Sequence, residues 1–498
     1  MKNSYKNLCF LFILSLASNF AMSQTETLKL SLPEIIALAQ SDAPDVLINK
    51  ARLSNNYWQF QSSQSLLRPT INLTSDLPDL NRNIDIVTLP TGRDTFIQRA
   101  QMRTNVGLQL SQQVPWTGGT IFASTRLQRL DLFNETFGDS KSYFSTPFSL
   151  GFSQPIFGFN ELKWDQKIQP LVYQEATKQF AENMEAVGFE AAQLFFELYI
   201  AQLNLKAATQ DKANADTLFN ISKGRFEVGR IAETELLQIE LSAMNADATV
   251  AQAVLDLTTS TEELRNFLGI KQAIEFDLTP PTEIPIFQID AQSALKYAMQ
   301  NRSEIIGFER RRIEAESEVA RAKSNSGLNA DIFASFSLSK TAKELSDSYS
   351  SPLNTNERFS VGLNVPIADW GRAKSRLEVA RSNQEVTSML IEQEQISFKQ
   401  EILLKVQQFD LLRNQVELAL RAYDVSQKRQ ELTRNRYYIG KIGITELGIA
   451  ISEQESARRG YMNALRSFWL AFYELRQITL YDFERNISLV KKIDFLNN

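Results

Sequence analysis

The chain has 498 residues, of which 43% are hydrophobic and 22% charged, and its formal net charge is −5 at pH 7. It contains no histidine, which excludes catalytic triads and metal sites that depend on histidine. The only cysteine is Cys9, and the acidic balance does not favour nucleic-acid binding. We therefore expect no enzyme, no cofactor, no metal site and no nucleic-acid partner.

The first 23 residues have the pattern of a secretory signal peptide. Lys2 and Lys6 precede an apolar stretch at residues 8–17, and Ala21-Met22-Ser23 forms a small-x-small cleavage site. Beyond it there is no run of eighteen apolar residues, so we expect no transmembrane helix. An exported chain of this kind is either soluble or enters a membrane through β-strands.

The rest of the chain is an internal duplication. Residues 148–265 align with residues 359–476 without a gap, and Phe148, Gly151 and Pro155 recur as Phe359, Gly362 and Pro366. A repeat this long indicates a tandem pseudo-symmetric domain. The predicted organisation is a signal peptide at 1–23, a first repeat at 24–278, a linker at 279–285, a second repeat at 286–481 and a C-terminal tail at 482–498.

Each repeat is predicted to contain a helix, strands, a long helix, a tight turn and a further helix. The predicted helices lie at about residues 31–67, 160–227, 234–268, 290–326, 371–438 and 445–480. At 1.5 Å per residue the long helices extend roughly 100 Å. A sustained heptad spacing, as from Val187 to Ala208 and from Phe398 to Tyr423, indicates helices that coil around their neighbours.

Between these helices, apolar and small polar residues alternate as they do in strands. Val106, Leu108 and Leu110 alternate in the first repeat, and Phe359, Val361 and Leu363 alternate in the second. This period-two pattern fits a membrane barrel wall and also a soluble sheet with one wet face. Because one chain offers only four to six strands, a membrane barrel would require several chains. Polar loops are expected at about 80–101, 131–146 and 340–357, facing outside the cell.

The two helix-hairpin tips repeat one motif. Arg225, Gly229, Ile231, Thr234 and Glu235 match the residues Arg436, Gly440, Ile442, Thr445 and Glu446. We expect each glycine to end its helix in the left-handed conformation, each threonine to cap the next helix, and each glutamate to favour that helix's start. This structural reading does not explain the recurring aliphatic residues, Val228 and Ile231 with Ile439 and Ile442. They predict a docking surface.

The chain resembles the TolC-like family of outer-membrane efflux and secretion channels. The resemblance rests on the duplication, on the paired Pro-Ile junctions at Pro155 and Pro366, and on the two tips. The resemblance covers nearly the whole mature chain. It implies an α+β membrane protein, with long helical hairpins forming a periplasmic α-barrel and strands of an oligomeric outer-membrane β-barrel. It also implies a homotrimer in outer-membrane lipid, whose tips dock a periplasmic adaptor (membrane fusion) protein and an inner-membrane pump. The alternative that we keep open is a soluble periplasmic coiled-coil scaffold.

Two features depart from the family pattern. The first repeat carries about 48 extra residues between residues 73 and 148, which either add a hairpin to the usual four strands or fold outside the barrel. At the entrance, Glu446 keeps one acidic gate position, whereas Ile449 and Ile442 replace the second acidic residue and its basic partner. Lys441 and Arg230 are the candidates for the missing basic residue.

Overall fold

The computed structural model describes residues 27–133, 138–281, 284–285 and 287–490. The predicted signal peptide lies outside the described residues, as do parts of the predicted linker and of the C-terminal tail. The boundaries of the two repeats stay a prediction from the sequence.

The first repeat begins with a short strand and two helices, continues through four strands, and ends in a helical hairpin. Its elements are β1 (Thr27–Ser31), α1 (Leu32–Asp42), α2 (Pro44–Ser65), β2 (Thr70–Thr88), β3 (Asp94–Val114), β4 (Gly119–Phe133), β5 (Ser140–Ile156), α3 (Glu161–Glu227) and α4 (Glu233–Phe267).

The second repeat has the same order with two strands instead of four. Its elements are β6 (Glu275–Thr279), α5 (Ala291–Asn301), α6 (Ser303–Ser324), β7 (Asn329–Ala342), β8 (Asn354–Asn364), α7 (Arg372–Tyr438) and α8 (Ile444–Thr479). A small antiparallel pair, β9 (Tyr481–Asp482) and β10 (Ile487–Ser488), follows. The long helices α3 and α7 each contain 67 residues. Their first residues lie as far apart in the sequence as Phe148 and Phe359 do, and so do their last residues.

The first predicted helix of each repeat is in fact two helices. Ala43 breaks the first at ψ 142°, because the proline that follows disfavours helical backbone before it. Arg302 breaks the second with φ −70° and ψ 142°, although no proline follows. Its side chain is held by an ion pair to Glu182 at 3.4 Å and lies over the Phe398 ring. The single helices predicted at 31–67 and 290–326 are therefore wrong at these two positions.

The six long strands form one antiparallel sheet in the order β2-β3-β4-β5-β7-β8 within the described residues. The extra residues of the first repeat thus add a hairpin to this sheet. The loop predicted at 80–101 is wrong, because β2 and β3 pair as far as Thr88 and Asp94, and the chain turns only between them. The polar side chains of this stretch suggested a loop, yet its backbone groups are paired across the hairpin.

One face of this sheet is apolar and exposed. Strand pairing places Ile71, Leu110, Ala123, Leu150 and Phe336 in one row across five strands. Leu150 is 46% exposed and Ile71 69%. The adjacent residues of each strand form a polar row on the opposite face, consisting of Asn72, Gln109, Ser124, Ser149, Ser337 and Asn356. The predicted alternation is confirmed.

The chain forms two compact units, each containing parts of both repeats. Among the described residues, the first unit comprises those within 27–52, 178–302 and 398–490, and the second comprises those within 53–177 and 303–397. In the first unit Leu198, Ile402 and Phe409 are almost completely buried, as the heptad spacing of the long helices predicts for its core-facing positions. Phe195, which lies outside that register, is buried as well. Among the described residues, no helix combines the length and hydropathy that crossing a membrane requires.

Candidate functional site: the helix-hairpin tips

Both tips end their long helices in the same way. Gly229 and Gly440 have φ values of 71° and 72°, as predicted for a left-handed helix end. The amide of Gly229 donates to the Phe226 carbonyl at 2.8 Å, and that of Arg230 donates to the Arg225 carbonyl, also at 2.8 Å. The second tip repeats both bonds. This pair of bonds is a Schellman motif, which satisfies carbonyl groups that the end of the helix leaves free.

The helices that follow do not begin as the sequence predicts. Ala232 and Gly443 are the N-caps, both with extended backbone and neither with a side-chain capping bond. Thr234 and Thr445 lie inside the first turn, so their assignment as N-caps is wrong. The acidic residues Glu235 and Glu446 do lie in the first turns of their helices, where the helix dipole favours negative charge.

The two tips meet in one small hydrophobic cluster in the first unit. Leu218, Ile239, Tyr437 and Leu447 are buried, one from each of the four helices of the two hairpins. Partly buried aliphatic and aromatic residues surround them, namely Phe219, Ile442, Ile444 and Ile451. Ile442, which was predicted to lie on an exposed docking surface, is therefore partly buried against this cluster.

Polar contacts strengthen this junction. The hydroxyls of Ser222 and Tyr437 lie 3.4 Å apart and are both buried. The Arg225 guanidinium donates to the Tyr438 carbonyl at 3.3 Å and lies 5.4 Å from the centre of the Tyr437 ring. Tyr437 and Ser222 are 215 residues apart, so no local sequence pattern predicts their contact.

The repeat makes the two tips similar but not equivalent. Phe226 occupies the position in the first tip that Tyr437 occupies in the second. Tyr437 is 1% exposed and lies inside the cluster, whereas Phe226 is 39% exposed. One side of the first tip is therefore uncovered in the single chain, at the position where the second tip is covered.

The predicted docking residues divide into two groups. Val228 and Ile439 are 69% and 66% exposed, and both precede a tip glycine. Thr234 and Thr445 are exposed too, whereas Ile231 and Glu235 are half-buried. The exposed part of the predicted surface thus consists of one aliphatic residue at each tip with its flanking polar residues.

The predicted gate residues Glu446, Lys441 and Arg230 are exposed. Within the described ranges, no ion pair connects Glu446 to either of the basic residues.

A cleft of about 710 Å³ lies behind the tips, between the two hairpins of the first unit. Asp211 lines it, and burial raises the pKa of its carboxyl, an effect that the negative charge of Glu455 reinforces and Arg458 opposes. The described residues contain no cluster of acidic, cysteine or histidine side chains that could hold a metal ion.

Comparison with known proteins identifies the family. A model of the outer membrane efflux protein family matches residues 93–270 and 294–479, which is more than half of the chain. Outer membrane protein TolC of Vibrio cholerae is 22% identical over 316 residues, which are 61% of this chain and 69% of that protein.

Solved channels share the fold. The CmeC outer membrane channel of Campylobacter jejuni has a TM-score of 0.65 at 14% identity, over 93% of this chain and 90% of that one. The MtrE outer membrane channel of Neisseria gonorrhoeae has a TM-score of 0.61 at 15% identity, over 91% and 90%. The predicted resemblance and fold class are confirmed. The chain belongs to the outer membrane efflux protein family, whose members are channel proteins of the outer membrane and not enzymes.

Proposed function

We propose that the protein is the outer-membrane subunit of a tripartite export system, a passive homotrimeric conduit across the outer membrane and the periplasm. A periplasmic adaptor and an inner-membrane pump would dock at its helix-hairpin tips. The observation that supports this most strongly is the six-stranded sheet with its exposed apolar face. The alternative of a soluble periplasmic scaffold does not fit a family of outer-membrane proteins.

The edges of the sheet favour assembly from several chains. In the described chain β2 and β8 are the two edge strands, and each leaves one row of backbone groups without a strand partner. In lipid such groups cost several kcal/mol each, so a spanning sheet must close on itself. Pairing of β8 of one subunit with β2 of the next would close it.

The tips supply a second contact between subunits. Within one chain Tyr437 of the second hairpin packs against Leu218 and Ile239 of the first. By the pseudo-symmetry of the repeat, Phe226 would pack in the same way against the second hairpin of a neighbouring subunit. Its 39% exposure in the single chain would then be removed by assembly.

Docking would use the exposed aliphatic residues. Three subunits with Val228 and Ile439 each would present six similar sites around a ring, and a partner with matching symmetry would gain avidity from weak individual contacts. Glu446 would contribute three like charges at the entrance, where their repulsion favours cations or a partly open gate. We keep Lys441 and Arg230 as the basic residues of the gate.

The docking proposal is tested with Val228→Ser and Ile439→Ser combined. We expect export to fail and cross-linking to the adaptor to be lost, while the trimer remains in the outer membrane. Leu432→Ser is the matched control, because Leu432 is 66% exposed on α7 but precedes the tip. Normal export and cross-linking by the double variant would show that the tips are ordinary turns.

A further inference from the structure

A cleft lies in the second unit where the sheet passes into the helices. It has a volume of about 610 Å³ and lies between the start of α3 and the end of α6. Phe157, Trp164 and Leu328 form apolar walls, and Lys163 and Lys323 contribute two positive charges. The cleft therefore combines an apolar interior with cations, as a site for an amphipathic anion does.

The walls of the cleft are fixed by contacts within the unit. The Ser324 hydroxyl donates to the Phe157 carbonyl at 2.6 Å, which joins the end of α6 to the segment before α3. The Arg321 guanidinium lies 4.5 Å from the centre of the Phe159 ring and 3.5 Å from the Glu161 carboxylate. These contacts preform the cleft and occupy the nearby arginine, but they leave the two lysines available.

Both lysines are exposed, and neither forms an ion pair within the part of the chain that the structure describes. Lys163 lies in the first turn of α3, where the helix dipole disfavours a positive charge. A bound anion would relieve this unfavourable placement and neutralise Lys323 at the same time.

An apolar groove lies on the exposed face of the sheet in the same unit. The groove, of about 590 Å³, is lined by Ile121, Leu150, Phe152 and Phe336 among others. The turn between β3 and β4 contacts both: its Thr117 carbonyl accepts a hydrogen bond from Gln154 of the groove at 2.8 Å, and its Pro115 carbonyl accepts one from Asn160 of the cleft at 2.7 Å.

We propose that the cleft and the groove form one binding site for an anionic phospholipid of the periplasmic leaflet. Lys163 and Lys323 would hold the headgroup phosphate, and an acyl chain would lie in the groove. The occupant follows from the family's outer-membrane location, since lipid covers the exposed apolar face of a membrane sheet. Trp116, 83% exposed at the tip of the same turn, is placed as aromatic residues are at a membrane interface.

The test is native mass spectrometry of the purified full-length protein with phosphatidylglycerol, and with zwitterionic phosphatidylcholine as the reference lipid. For Lys163→Ala with Lys323→Ala we expect phosphatidylglycerol binding to weaken about thirtyfold, from the known contribution of basic residues near anionic lipid. Phosphatidylcholine binding should hardly change. The control is Lys223→Ala with Lys428→Ala, which removes the same charge from exposed lysines of the first unit.

Unchanged phosphatidylglycerol binding would overturn the proposal. Loss of the oligomer by the double variant would overturn it too, because it would show that the two lysines contact a neighbouring subunit instead of lipid. The same spectra report the number of chains, so failure of the lipid site is distinguishable from failure of the proposed trimer.

Discussion

Tyr437→Ala should loosen both helix-hairpin tips at once. The ring is 1% exposed, lies in the cluster with Leu218, Ile239 and Leu447, and is bonded to the Ser222 hydroxyl. Replacing a fully buried aromatic residue with alanine costs about 3–5 kcal/mol, because apolar contacts are lost and a cavity remains. The hydroxyl bond accounts for only about 1 kcal/mol of this, so Tyr437→Phe should be much milder.

Hydrogen exchange of the detergent-extracted protein measures this local effect. A loss of 3 kcal/mol corresponds to exchange faster by about two orders of magnitude, if opening of the tip limits exchange. We expect the change at residues 218–239 and 437–447, with the strands unaffected.

The repeat offers a matched control for this measurement. Phe226→Ala removes a ring from the equivalent position of the first tip, but this ring is 39% exposed in the single chain. Its truncation should change exchange within an isolated chain much less. Because Phe226 packs against a neighbouring subunit in the proposed trimer, the two substitutions are compared in protein dissociated to single chains. There, equal effects of the two substitutions, or no effect of Tyr437→Ala, would refute the assignment of Tyr437 as the residue that joins the tips.

Three further predictions concern the tips, a helix cap and the topology. Gly229→Val with Gly440→Val should abolish export while the oligomer stays in the membrane, because a Cβ at φ near 70° costs roughly 1 kcal/mol and tilts the tip; normal drug susceptibility in cells with this variant would contradict it. Asp290 caps α5, and its bonds to the hydroxyl and amide of Ser293 lower the pKa of its carboxyl, so the cap stabilises the fold above the unfolded pKa and is lost as pH falls through the folded one. The acid sensitivity of the melting temperature should therefore shrink in Asp290→Asn, and an unaltered profile would exclude this contribution. Cysteines at Asp139 and Ser346 should be labelled in intact cells, and labelling only after disruption of the outer membrane would reverse the topology.

The sequence predicted the helical framework well because its signals are local and repeated. Heptad spacing and the duplicated glycines place the ends of α3 and α7 within a residue of their observed positions. The break at Ala43 also had a local signal, the proline that follows it. The break at Arg302 had no local signal. Its extended backbone is accompanied by contacts with Glu182 and Phe398, which form only in the folded chain.

The details of the site were less predictable because, like the break at Arg302, they have no local signal in the sequence. Thr445 looked like an N-cap, but only the backbone dihedrals reveal that Gly443 has that position. The contact of Tyr437 with Ser222 joins distant parts of the chain, so spacing could not reveal it. In the connection between β7 and β8, Ser348 lies in a segment predicted to be an exposed loop, yet it is fully buried and its carbonyl accepts a hydrogen bond from the Ser145 hydroxyl.

The central claim is that the protein functions as an oligomeric conduit in the outer membrane. The most direct test is to fractionate cells, extract the protein from outer membranes in mild detergent and determine the mass of the intact complex. The account predicts three copies of the mature chain in the outer-membrane fraction, held together until heating. A single chain in those membranes, or a soluble periplasmic monomer, would contradict it.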